Sequence, residues 1–298
     1  MLFDIEVAAP CVGSDARSST SGWRREFARR GAPPIPATRH HIARWGATLT
    51  LAVTAFVSAQ AQSATPASAC IAPADLTRLD HPLKRVAHRL AAGQPITIVA
   101  IGSSSTAGAG ASSLANSYPS RLAVELKEQF PRATISVINR GVGGEESRDM
   151  IARFDKDVFA EAPDLVIWQV GSNSVLRNRP INDSRTMLRD GLNRLKAVGA
   201  DVILMNPQYA PKVIVKHDAD AMVDLIDAAA KESNVDLFQR FALMRYWRLT
   251  EDIPFSTFVS ADELHMNDWS YGCIAKALAG AIAEAATRAT VTATAGAR

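Results

Sequence analysis

IVAIGSSSTAGAG, residues 98–110, runs four apolar residues into a glycine, three serines and a threonine, with two further glycines behind them. An apolar run with β-branched residues, closed by glycine, reads as a buried strand. The small hydroxylic residues after it read as a loop that lets backbone approach a ligand closely. Four more runs of the same kind follow: TISVIN (134–139), DLVIWQV (164–170), DVILMN (201–206) and the weaker VDLF (235–238). Helical patterns separate or flank them at about 76–92, 117–129, 146–159, 183–198, 217–232 and 268–286. Strands alternating with helices predict a parallel sheet covered on both faces, a three-layer α/β/α sandwich with five strands in one domain. Ligands of such a fold gather at the carboxyl ends of the strands. The loops to compare are therefore GSSSTAGAG after the first strand, RGVGGEES after the second and GSNS after the third.

The bulk numbers set the frame. With 298 residues and 47% hydrophobic content the chain suits one large packed domain with an N-terminal appendage. Residues 1–61 carry seven arginines against four acids, which leaves 26 basic and 26 acidic residues in the remainder of a chain with 33 and 30. The folded part is near neutral and has no electrostatic footprint for nucleic acid or an anionic membrane. Basic residues through Arg44, an apolar stretch from about Ala47 to Ala59, and Ala59-Gln60-Ala61 read as a secretory signal cleaved near Ala61. The apolar run is shorter than the ~20 residues of a membrane span, so a periplasmic or secreted chain without stable membrane insertion is expected. Two cysteines remain after cleavage, Cys70 and Cys273. An oxidising compartment invites their pairing, which would close a loop worth ~3–5 kcal/mol on the chain-entropy model; two unpaired thiols are the alternative. No spacing resembles a metal site, and neither a metal nor a cofactor is expected.

The glycine-rich loop does not suit phosphate. Gly108 is followed by Ala109, Gly110 and Ala111 with no lysine, and Leu114 stands where a dinucleotide fingerprint needs glycine. Nucleophilic catalysis asks instead for a serine at a strand end, a histidine to take its proton, a carboxylate to orient the histidine, and donors for an oxyanion. His40 and His41 fall in the signal region, His81 and His88 on the first helix, and His217 opens a helix as a solvated surface residue. His265 stands in SADELHMND just before the last helix, with Asp262 three residues upstream. From there the carboxylate can fold back onto Nδ1 and leave Nε2 free for a serine.

Taken together, the combination resembles the SGNH/GDSL family of serine hydrolases. Its first block corresponds to Gly102-Ser103-Ser104, its second to Asn139 through Gly144-Glu145, its third to Gly171-Ser172-Asn173 and its last to Asp262 with His265. The resemblance covers about residues 96–285 and implies the flavodoxin-like fold of that family. It further implies Ser104 as nucleophile, His265 as base and then acid, and Asp262 as its orienting partner. The implied oxyanion donors are the backbone N–H of Ser104, that of Gly144 and the side-chain amide of Asn173. The residues themselves ask for one serine in the loop; only the resemblance selects the middle one. Where the family usually has aspartate this chain has Ser103 and Ser174, so a different bracing of the nucleophile loop and a less negative pocket are expected.

On this reading the chain divides into an extension and signal peptide (1–61), an arm with the first helix (62–95), the hydrolase domain (96–286) and a flexible tail (287–298). The expected reaction is hydrolysis of short-chain or acetyl esters, with a small-molecule or carbohydrate ester as partner, because no long apolar insertion offers a lipase lid. An O-acyltransferase with the same triad and a non-catalytic carbohydrate-binding module on this fold are the alternatives. Among the aromatics near the expected site, Tyr118 follows the nucleophile loop, Trp168 suits the core, and Trp269 is either a helix anchor or a wall for a sugar ring.

Overall fold

The computed structural model describes residues 69–295; the N-terminal extension, the signal peptide and the cleavage position near Ala61 lie outside the described residues. Five strands, β1 (Ile96–Gly102), β2 (Ile135–Gly141), β3 (Leu165–Gln169), β4 (Asp201–Met205) and β5 (Asp236–Phe238), form one sheet in the order β2-β1-β3-β4-β5. Every neighbouring pair is parallel, with Ile101 of β1 opposite both Arg140 of β2 and Trp168 of β3. The five runs read from the sequence are these strands, to within a residue or two at the ends.

Alternation along the strands explains the layers. Ile96, Ile98 and Ala100 of β1 face one core with Leu165, Ile167, Ile203 and Met205, while Val99 and Ile101 face the other with Val166, Trp168, Val202 and Leu204. The first core is closed by α1 (Lys84–Ala91), α2 (Tyr118–Gln129), α5 (Arg240–Leu249) and α6 (Asp268–Ala295). The second is closed by α3 (Ile181–Ala197) and α4 (Ala219–Ser233). Both faces of the sheet are thus covered, as an all-parallel sheet requires.

Several helices differ from the sequence reading. The one expected at 76–92 is two, Ala74–Thr77 and Lys84–Ala91, because Pro82 interrupts the run. The one expected at 146–159 breaks into Ser147–Ala152, Phe154–Asp157 and a tighter turn at Phe159–Glu161. The last helix runs to Ala295 and does not stop at 286. Helix α5 was not expected at all. It begins two residues after β5 with neither glycine nor proline between them, and its first residue, Arg240, is fully buried, which breaks the usual polar-outside pattern. The arm before β1 is part of the packed unit: Leu79, Leu83 and Val86 are core residues, and Asp201 at the start of β4 accepts from the backbone N–H groups of Arg85 and Val86. A disulfide joins Cys70 in that arm to Cys273 of α6 with 5.6 Å between their Cα atoms.

The order β2-β1-β3 makes the gap between β1 and β3 the point where chain direction across the sheet reverses. There the loops diverge and leave a crevice at the carboxyl ends of the strands. Gly102 ends β1 on one side of it, and Gly171 follows β3 on the other.

Candidate active site

The β1 strand hands over to a single helical turn, Ser104–Ala107, with Ser103 as its N-cap and Gly108 closing it in the left-handed region. Ser103, Ser105 and Thr106 are buried, so Ser104 is the serine of the three turned toward the crevice. The turn is held from below by Gln169, the last residue of β3. Its Oε1 accepts from the backbone N–H of Ser103 (2.9 Å), the Ser103 hydroxyl (3.0 Å) and the Thr106 hydroxyl (3.3 Å). Here lies the physical answer to the missing aspartate at position 103: a neighbouring strand supplies the acceptor that a carboxylate in the loop would have been. Nothing local in the sequence marks Gln169, because its partners lie more than sixty residues away. From the other side Asn139 of β2 donates to the Thr106 carbonyl (2.9 Å) and accepts from Gly141 N–H (2.9 Å).

The histidine arrives on a surface turn. The backbone N–H of Ser260 donates to the His265 carbonyl (2.8 Å), which closes the loop. Inside it, Asp262 Oδ1 accepts from the Ser260 hydroxyl (2.7 Å), Leu264 N–H (3.0 Å) and His265 N–H (2.9 Å). Its Oδ2 meets His265 Nδ1, and His265 Nε2 lies 2.7 Å from Ser104 Oγ. Burial pushes the Asp262 carboxyl up, but the hydrogen bonds from the imidazole, the backbone and Ser260 outweigh it and hold the group well below the usual carboxylate range. Gly110, at φ +87°, lets the nucleophile-side loop pass this turn. A Cβ there would collide with the Met266 carbonyl oxygen and fall 2.8 Å from His265 Cβ and 3.1 Å from Ser260 Oγ, so a side chain at 110 would push the histidine turn away as a whole.

The loops after β2 and β3 meet the same crevice. Gly144 adopts φ +81°, and a Cβ on its neighbour Gly143 would lie 4.0 Å from Ser104 Cβ. Asn173, in the helical turn Ser172–Leu176, donates from its amide to the Glu145 carbonyl (2.8 Å), which spends one of its two N–H groups and leaves the other. Glu145 is itself tied to Arg153, whose Nη2 also donates to the Arg140 carbonyl (2.7 Å). The structure therefore brings Ser104, His265 and Asp262 into one hydrogen-bonded line, with the Gly144 and Asn173 segments beside the serine. His217 is exposed and paired with Asp218, away from this line.

Behind the line sits a polar tier that the sequence did not announce. Gln208, after β4, accepts from the Ser172 hydroxyl (2.9 Å) and from Arg240 (3.1 Å), and donates to the Leu264 carbonyl (3.2 Å). It thus links the residue before Asn173 to the residue before His265. Arg240 is wholly buried, donates also to the Asn206 carbonyl (3.0 Å), and burial pushes its guanidinium down to about 10, still charged at neutral pH. Of the aromatics, Tyr118 is buried against Thr106, Trp168 lies in the core, and Trp269 packs edge-on against Trp247, with centroids 5.0 Å apart. Trp269 is an anchor of α6.

Over residues 69–288 the chain matches the non-GDSL lipase-like family and belongs to it; the resemblance carried by the four sequence blocks holds at that level. It is 31% identical over 94 residues to an acetylxylan esterase of Geobacillus stearothermophilus, covering 28% of this chain and 43% of that protein. It is 29% identical over 125 residues to an arylesterase of Vibrio mimicus, covering 42% of this chain and 61% of the relative. The chain thus spans less than two thirds of the length of these curated relatives. Among solved structures, a two-domain esterase active on acetylated mannans, co-crystallised with mannopentaose, superposes with a TM-score of 0.60 at 20% identity over 72% of this chain and 57% of that one. The Geobacillus stearothermophilus acetylxylan esterase Axe2 superposes with a TM-score of 0.55 at 22% identity over 63% and 94% of the two chains. At these identities the superpositions speak for the fold.

Proposed function

We propose that this protein is an exported carboxylic ester hydrolase that removes acetyl or other short acyl groups from a carbohydrate. The observation that carries the reading is the line from Asp262 through His265 to Ser104 Oγ, at the switch point of the sheet. Relatives named for acetylxylan and aryl ester hydrolysis support the reaction, and a neighbour active on acetylated mannans supports the substrate class. The Cys70–Cys273 disulfide supports export, since such bonds persist in oxidising compartments.

Ser104 Oγ attacks the ester carbonyl carbon while His265 Nε2 takes its proton. Asp262 keeps the imidazole in the tautomer that presents a bare Nε2 and stabilises the imidazolium that results. The negative oxygen of the tetrahedral intermediate is met by the N–H groups of Ser104 and Gly144 and by the second amide hydrogen of Asn173. The C–O bond to the alcohol then breaks as His265 returns the proton to the departing oxygen. Water, deprotonated by the same histidine, attacks the acyl-serine and releases the acid and the free Ser104 hydroxyl.

Purified protein is expected to hydrolyse p-nitrophenyl acetate and to be labelled by a fluorophosphonate at Ser104. Ser104→Ala and His265→Ala are each expected to lose about 10⁴-fold or more in kcat. Equal turnover in all three proteins, or labelling at a different serine, would remove this reading.

A further inference from the structure

Resting on the esterase reading, we propose that the sugar of the substrate is held in the polar cleft on the Gly144 side of Ser104. It would be recognised as a neutral polyhydroxylated ring by paired ions, with no aromatic stacking, and Arg177 is the residue that sets this specificity. The cleft has a volume of about 300 Å³ and is bordered by Gly144 and Ser174, so it opens directly beside two of the segments that face the serine. A Cβ built on Gly144 would lie 3.5 Å from Arg177 Nη2. That guanidinium therefore stands against the backbone whose N–H is proposed to meet the acyl oxygen.

Arg177 is held there. Its Nη1 donates to Glu146 Oε1 (2.7 Å), Arg179 Nε bonds the same carboxylate (3.2 Å), and Glu146 is fixed in turn as the N-cap of the helix Ser147–Ala152 through a capping box with Asp149. Preorganised groups of this kind bind at less entropic cost than free surface side chains.

The composition of the walls selects the ligand. Arg148, Arg177 and Arg179 stand with Glu146, Asp149 and Asp183, three cations against three anions. A hydroxyl group both donates and accepts, so a ring bearing several is matched by alternating guanidiniums and carboxylates. A uronate would face the three carboxylates as well as the arginines, and an alkyl chain would desolvate charges without replacing their hydrogen bonds. The volume also exceeds the needs of an acetyl group, which assigns the cleft to the alcohol side of the ester. A second cleft, about 430 Å³, lies on the His265 side along Phe255, Val259 and Ala261 and is the less polar of the two. Trp269, the residue best suited to stack on a sugar, is packed on Trp247 instead.

The test compares kcat/KM on an O-acetylated xylo-oligosaccharide with kcat/KM on p-nitrophenyl acetate, in the wild type, Arg177→Ala, Arg177→Lys and Phe255→Ala, with thermal melting to confirm folding. Arg177→Ala is expected to lower the sugar-to-aryl ratio by about tenfold or more through a raised KM, the size of one lost charge-assisted hydrogen bond; Arg177→Lys is expected to fall between. An unchanged ratio in Arg177→Ala, an equal fall on both substrates, or a fall in Phe255→Ala alone would overturn the proposal. A wild type active on the aryl ester and inert on the sugar ester would overturn it while leaving the esterase reading standing. Inactivity on both would remove that reading itself.

Discussion

The two halves of the candidate site are built in opposite ways. The serine half is a core structure: Ser103, Ser105 and Thr106 are buried, and Ser103 and Thr106 are fastened by Gln169 and Asn139, which reach them from two other strands. The histidine half is a surface turn of six residues, fastened almost wholly by itself through Asp262 and Ser260. The position of the nucleophile is thus a property of the sheet, and that of the imidazole a property of a local loop docked onto it. Gln208 is the exception that joins them, since it bonds both Ser172 and the Leu264 carbonyl. The difference implies that changes in the first half disturb folding and chemistry together, whereas changes in the second disturb chemistry far more than folding.

Asp262→Asn offers the sharpest break. Its side chain is 45% exposed and an amide oxygen can still accept from the turn, so the melting temperature at neutral pH is expected to fall only by the modest contribution that the depressed, solvent-screened carboxylate makes there. Turnover of p-nitrophenyl acetate is expected to fall by roughly 10³–10⁴, because the wrong imidazole tautomer is then favoured. A large loss of melting temperature would show that the turn depends on the carboxylate's charge.

Asn173→Ala removes one proposed oxyanion donor and is expected to cost about 10²–10³ in kcat with little change in KM. A KM effect without a kcat effect would move Asn173 from the oxyanion to ground-state binding.

Gln169→Leu strands the Ser103 N–H and hydroxyl in the interior, at roughly 1–3 kcal/mol for each group left unmet, and leaves the Thr106 hydroxyl with Tyr118 as its side-chain partner. Here stability and turnover are expected to fall together, read by thermal melting beside the kinetics. Full stability with lost activity would erase the contrast between the two halves.

The smallest effect concerns acid. Asp262 and Asp164 both have carboxyls held below their ordinary value: burial works against the shift in each, and hydrogen bonds from His265 in the one, from Thr97, Arg89 and Arg85 in the other, overcome it. A depressed folded pKa stabilises the native state above the unfolded value of about 4 and loses that contribution as pH falls below it. Denaturant titrations from pH 6 down to about 3 are therefore expected to show falling stability in the wild type. The slope should be shallower in Asp262→Asn, and an identical slope would mean the Asp262–His265 hydrogen bond is already open in the native state.

Much of this molecule was legible from its chain. The β-branched runs marked all five strands because the interior strands, buried on both faces, need continuous apolar residues and the half-buried edge strand β2 keeps the same β-branched pattern, which are local demands. The glycine-bearing loops after β1, β2 and β3 were visible for the same reason, since positive φ and close approach are properties of single residues. The short interval from Asp262 to His265 was readable because one turn closes it. Helix α5 escaped notice, as did Gln169, Gln208 and Arg177. A glutamine at a strand end carries no signal of which hydroxyl it will meet, and an arginine on a surface turn carries none of the cleft it borders.

The chain by itself determined the order of the layers and the kinds of residue delivered to one edge of the sheet. Tertiary structure decided that Ser104, the serine the resemblance singles out, lies 2.7 Å from an imidazole 161 positions away, and that Gln169 braces the loop where the resemblance expects a carboxylate. It also decided that the flank beside Gly144 is lined by balanced charges. The reason is physical: strand and turn preferences act over a few bonds, whereas hydrogen-bond partners across a parallel sheet are set by strand order and register, which no short stretch encodes.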